Sequence, residues 1–146
     1  MGDSRFTLAV HTLCWLELLR RRGMTPASSV VLARSSQTHP VRVRQVLTEL
    51  RGAGLVTATR GRGAGWDLTQ PGSEISLAEV HIALREQRSS RGWPFSFYAH
   101  EPNPECVVGR GIRPALSEVN RELDDVISTT LDDVSIGAVL ERCLHA

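Results

Sequence analysis

With 146 residues, 41% hydrophobic and 23% charged, the chain has the apolar content for one core of ordinary domain size, which excludes a disordered polyelectrolyte. The formal net charge of +1 hides a split: residues 1–62 hold ten arginines against Asp3, Glu17 and Glu49, a net of +7, and residues 63–146 carry a net of −6. A basic first half suits a polyanionic partner and an acidic second half is repelled by one. The three cysteines, Cys14, Cys106 and Cys143, are odd in number and far apart, which excludes a disulfide scaffold and leaves reduced thiols, a redox sensor or a sparse metal site.

In chain order, Phe6, Ala9, Val10, Leu13, Leu16 and Leu19 have helical spacing, and predict a buried helix from about Arg5 to Arg22, closed by Gly23. The stretch Phe6–Leu19 is apolar, but it contains His11 and Glu17, lacks a small-residue cleavage site and is too short for a bilayer, so a cytoplasmic protein with no membrane contact is expected. Ser28 or Ser29 caps a second helix carrying Val30, Val31, Leu32 and Ala33, and Ser35–Thr38 is a polar turn. Pro40 suits the first position of a third helix, whose buried stripe is Val43, Val46, Leu47 and Leu50. Gly52 and Gly54 stop it.

Leu55–Arg60 alternates as a strand, Gly61–Gly65 is a turn, and Trp66–Thr69 returns as a second strand, with Pro71–Gly72 closing the hairpin. Ser76-Leu77-Ala78-Glu79 is a capping box opening a helix to about Glu86. Residues 87–111 read as an irregular, aromatic-rich loop of the kind that carries function in compact domains. Ile112, Leu116, Val119, Leu123 and Val126 then step by four, three, four and three in a helix expected from about Ile112 to Thr130, which resembles a coiled-coil seam. Ser135 caps a last helix ending near Leu144.

The expected fold class is therefore mainly α with a small β-hairpin: a winged helix-turn-helix region over 1–72, and a sensor loop with dimerisation helices over 73–146, in a single compact chain. In a helix-turn-helix the second helix enters the major groove with its N-terminal residues nearest the bases. Arg42, Arg44 and Gln45, helped by Thr38 and His39, are the expected base readers, because Arg–guanine and Gln–adenine pairings are the common ones. Arg60 and Arg62 on the wing tip would reach the minor groove or phosphates, and Ser28 and Ser29 would give phosphate contacts at a helix start.

The chain resembles the Rrf2 family of transcriptional regulators, the group of the IscR, NsrR, CymR and BadM types. The likeness rests on Arg5–His11, on Leu50-Arg51-Gly52-Ala53-Gly54-Leu55-Val56, on the wing Arg60–Leu68, on Glu74–Val80 and on His100–Arg110. It implies a dimer held by the long C-terminal helix, binding a double-stranded DNA operator as a repressor or an activator. Family members that carry an iron–sulfur cluster use three closely spaced cysteines before that helix. This chain has only Cys106 there, so the resemblance is to cluster-free members, and no cofactor or metal is expected. A cluster shared across the dimer, with His11 as a ligand, is the alternative.

The expected signal is a thiol or small-molecule event. His11 and Cys14 share a helix face, and a neighbouring His can lower a thiol pKa; the preferred alternative is that Cys14 is a small buried hydrophobe on an apolar helix. His100 and Cys106 form a second pair, and Trp15, Trp93, Phe95, Phe97, Tyr98 and His100 could line an effector pocket or simply a satellite core. No third orienting group accompanies either His–Cys pair, so an enzyme is not expected. A protein-interaction module without DNA binding is the other reading of the same fold.

Overall fold

The structure, a computed structural model, describes residues 4–85, 95 and 97–146. Its elements are α1 (Arg5–Arg21), α2 (Ser29–Ser36), α3 (Pro40–Gly52), β1 (Val56–Thr59), β2 (Gly65–Leu68), a 3-10 turn (Gly72–Glu74), α4 (Leu77–Arg85), α5 (Val107–Asp132) and α6 (Ile136–Leu144). The two strands pair antiparallel, with Val56 opposite Leu68 and Thr59 opposite Gly65. None of the described helices is long and apolar enough to cross a membrane.

Helix α1 is the axle of the molecule. Ala9, Leu13 and Leu16 are wholly buried, and the helix packs on α2, α3, α4, α6 and β2. The same core takes in Leu32 of α2, Val43, Leu47 and Leu50 of α3, Val56 and Leu68 of the hairpin, Val80 of α4, and Ile136 and Leu140 of α6. The chain's last helix thus closes over its first. The return is pinned by backbone bonds from Leu77 N–H to the Val134 carbonyl and from Ile136 N–H to the Ile75 carbonyl, each 2.8 Å. One carboxylate, Glu17, is buried in this region. It is tolerated because both oxygens are used: one accepts from the Gly72 N–H at 3.0 Å and the other from Arg21 Nε at 2.9 Å.

The caps follow from local chemistry. The Ser28 hydroxyl accepts from Val31 N–H at 3.3 Å, and Ser135 accepts from Ala138 N–H at 3.1 Å. The capping box closes in both directions, with Glu79 N–H donating to the Ser76 hydroxyl and Ser76 N–H donating to the Glu79 carboxylate. Gly54, at φ +78°, supplies the left-handed turn after α3 that a side chain would resist.

The long C-terminal helix departs from expectation. It starts at Val107, five residues before Ile112, so 107–111 are helical rather than part of the loop. Gly109 and Gly111 fall in the stretch expected to be loop. The Cys106 side chain overrides them by capping the helix, its Sγ accepting from Gly109 N–H at 3.4 Å, and Gly109 is needed because a Cβ there would lie 2.6 Å from the Asn103 carbonyl oxygen. Helix α5 packs mainly on α4. Of its 26 residues only Asn120 is buried, and Val119, Leu123 and Val126 are exposed.

Candidate nucleic-acid interface

Helix α3 is positioned by its apolar stripe. Val43, Val46, Leu47 and Leu50 face the core, each no more than 2% exposed, and this turns the opposite face outward. Val41, Gln45 and Thr48, spaced by four and three, form the middle of that outer face, and Arg44 stands beside them. With Glu49 they line a shallow recess of about 420 Å³. His39 caps the helix: its Nδ1 accepts from Val41 N–H at 3.2 Å, which places the neutral ring's proton on Nε2.

The expected readers do not all line the recess. Arg44 and Gln45 lie in the recess, and among the described residues no ion pair holds Arg44. Arg42 lies on the flank nearest the start of α1, where its Nη2 donates to Ser4 Oγ at 3.3 Å, alongside the ion pair of Arg5 with Glu49. Ser28 is the α2 cap, whereas Ser29 is buried. Thr38 is half-buried in the turn and its N–H donates to the Ala33 carbonyl. Thr48 is expected on the solvent face from the spacing, but neither it nor Val41 is among the expected readers. The signal was there for Val41: it is an aliphatic residue off the buried stripe.

The wing is tied to the body at its base and exposed at its tip. Ala27 and Trp66 exchange backbone bonds of 2.9 and 2.8 Å, adding a short third partner to the hairpin. The Arg51 guanidinium lies 5.7 Å from the centre of the Trp66 ring, and the Thr69 hydroxyl donates to the Gly54 carbonyl at 2.7 Å. At the tip, Gly61 and Gly63 take φ values of +85° and +74°, and Arg60 and Arg62 are exposed.

A helix-turn-helix with an outward polar face on its second helix, followed by an arginine-tipped hairpin, defines a winged helix-turn-helix protein of the DNA-binding class. A family model described as "Rrf2: Iron-dependent Transcriptional regulator" matches residues 3–142. The chain is 34% identical over 143 residues to the HTH-type transcriptional regulator YwnA of Bacillus subtilis, covering 97% of this chain and 98% of that one. A solved DNA binding protein superposes with a TM-score of 0.71 at 28% identity, covering 94% of this chain and 99% of the other. IscR of T. potens shares the fold, at TM-score 0.67 and 19% identity over 98% of this chain and 88% of its own. The chain belongs to the Rrf2 family of DNA-binding transcriptional regulators, which are not enzymes.

Iron is named in the family's description, and the donor set here does not fit it. Cys14 is buried on α1, Cys106 caps α5 and Cys143 is exposed on α6. Among the described residues no three His, Cys, Asp or Glu side chains come together as a metal site.

The sensor candidates are also dispersed. His11 Nε2 is 2.8 Å from the Ser35 hydroxyl, joining α1 to α2, while the Cys14 thiol donates to the Ile136 carbonyl at 3.7 Å. Of the two readings of Cys14, a His-activated thiol and a buried core residue, the structure agrees with the second. Burial pushes the thiol up to about 12, with Cys143 and Glu17 adding to the effect. Trp15 is half-buried, its indole Nε1 finding no hydrogen-bond partner among the described residues, and Trp93 lies outside the described residues. The His100 ring stacks on Tyr98 at 5.3 Å, Phe95 meets Phe97 edge-on at 6.0 Å, and the Arg113 guanidinium lies 5.9 Å from the Phe97 ring.

A neutral buried thiol is a poor nucleophile. At pH 7.5 iodoacetamide will therefore alkylate Cys106 and Cys143 in the native protein and reach Cys14 only after denaturation, as read by peptide mass spectrometry. The linkage has a matching sign. Above the ordinary thiol value of 9.0 the unfolded chain binds fewer protons than the folded one, so the Cys14 contribution is intact below that pH and is lost as pH rises toward about 12.

Proposed function

We propose that the protein is a homodimeric, sequence-specific repressor that binds a pseudo-palindromic duplex, laying α3 in the major groove and the wing against phosphates or the minor groove. The observation that carries this reading is the outward face of α3, with Arg44, Gln45 and Thr48 around one recess, in a chain that also exposes the Arg60–Arg62 tip of its hairpin. The charge split supports it, since the basic half holds the reading helix and most of the hairpin. The dimer rests on α5: Val119, Leu123 and Val126 form an exposed apolar stripe that a second copy would bury, which lets two reading heads span one operator.

A redox or small-molecule signal would act through the segment preceding α5. Of the two thiols considered, Cys106 is the accessible one and it caps the dimer helix. Its modification would disturb the start of α5. The cytoplasm is the compartment in which such a regulator meets DNA.

Fluorescence anisotropy with a duplex selected from a random pool, at several salt concentrations, tests this. Binding will weaken steeply with salt. Arg60→Ala and Arg62→Ala will each reduce the log–log salt slope by about 1, while leaving sequence preference intact. Arg44→Ala will cost about tenfold and relax preference at one base pair. Affinity indifferent to both salt and sequence overturns the reading. Sedimentation equilibrium of Leu123→Glu, which places a charge on the α5 stripe, will report monomers where the wild type is dimeric.

A further inference from the structure

We propose that Val41 is a specificity-determining residue that packs against the 5-methyl group of a thymine in the major groove. The inference rests on the DNA-binding reading above and deepens it by naming the base feature that is read.

Among the five aliphatic residues of α3, Val41 is the exception. Val43, Val46, Leu47 and Leu50 are at most 2% exposed, whereas Val41 is 41% exposed and sits on the polar face. It borders the recess shared with Arg44, Gln45 and Thr48. It is also held still. Its N–H is bound by the His39 ring, which fixes the first turn of the helix, and a β-branched side chain in a helix keeps essentially one rotamer. The two methyl groups therefore occupy a set position at the N-terminal end of α3, the part of a reading helix that lies nearest the base edges.

Valine neither donates nor accepts a hydrogen bond, so a phosphate or a purine edge offers it nothing. The apolar group that the major groove presents is the thymine methyl. Contact between the two removes both from water. Arg44, Gln45 and Thr48 surround Val41 with the polar groups that would read neighbouring base pairs, which makes it the apolar member of a mixed reading set.

The test uses the full-length protein. Wild-type protein is first used to select a preferred duplex from a random pool of unmodified DNA. Each thymine is then replaced singly by deoxyuridine, which deletes the methyl and keeps the pairing. At one position per half-site the wild type will lose about fourfold in affinity, the value of burying one methyl group. Val41→Ala will bind the thymine and uracil duplexes equally at that position. Alanine is a good helix former at an exposed site, and circular dichroism will show the variant folded. Val41→Thr, which keeps the branch and one methyl, will retain part of the discrimination. If uracil replacement costs nothing anywhere, or costs wild type and Val41→Ala the same at every position, the assignment is overturned while DNA binding stands. A selection that enriches no duplex overturns the DNA-binding reading, and this assignment with it.

Discussion

Replacing Gly65 with alanine will unseat the wing. A Cβ at this position would lie 2.7 Å from the Ala27 carbonyl carbon, 2.8 Å from its oxygen and 2.9 Å from its nitrogen. All three are backbone atoms, so no side chain can turn aside to make room. The strand must move away from Ala27, and the two backbone bonds between Ala27 and Trp66 are lost or stretched. Overpacking and two lost hydrogen bonds together cost on the order of 3 kcal/mol, a fall of about 10 °C in the melting temperature at fixed protein concentration. The consequence for DNA binding follows from the same geometry, since Arg60 and Arg62 are carried by the hairpin that Trp66 anchors. Gly52→Ala is the control. Nothing lies within 4 Å of a Cβ at Gly52, which ends α3, and alanine there will be neutral or stabilising by up to about 1 kcal/mol.

The second large effect lies under the reading helix. Leu47 is wholly buried on the inner side of α3, in the core that joins this helix to α1, α2 and α4. Leu47→Ala removes three carbons and leaves a cavity that the surrounding helices close only in part, so a loss of about 3 kcal/mol is expected in urea unfolding. The contrast with its neighbour is the point of the experiment. Thr48→Ala, on the exposed face next in sequence, will leave the unfolding midpoint nearly unchanged and act, if at all, on DNA affinity. Equal destabilisation by both changes would contradict the assigned orientation of α3.

Much of this architecture was legible before any coordinates. The Ser76–Glu79 box, the Ser28 and Ser135 caps and the hairpin with its glycine tip depend on residues a few positions apart. Their signals therefore survive in a linear reading. The start of α5 was hidden because Gly109 and Gly111 argue locally against a helix. What permits it is a cap by an unusual residue, Cys106, and a close approach to Asn103 that only coordinates reveal. The candidate site was half legible. The buried stripe of α3 gave its outer face, but the division of that face into a central recess and a flank did not follow. Arg42 and Arg44 look equivalent in sequence, yet Arg42 is drawn to Ser4 at the start of α1.

By itself, then, the sequence determined the order of the elements, their caps, the polar face of the reading helix and the uneven charge that suits one half to DNA. These are properties of short windows and of composition. Tertiary structure alone decided three other things: which arginine lines the recess, that the α5 stripe is left uncovered by the other described helices, and which segment covers Cys14. That thiol lies three residues from His11, but its hydrogen bond goes to Ile136, 122 positions away, because the last helix folds back over the first and helps to take it out of water. The apolar spacing of α1 already suited a buried thiol, but which distant segment covers it is encoded in no local spacing.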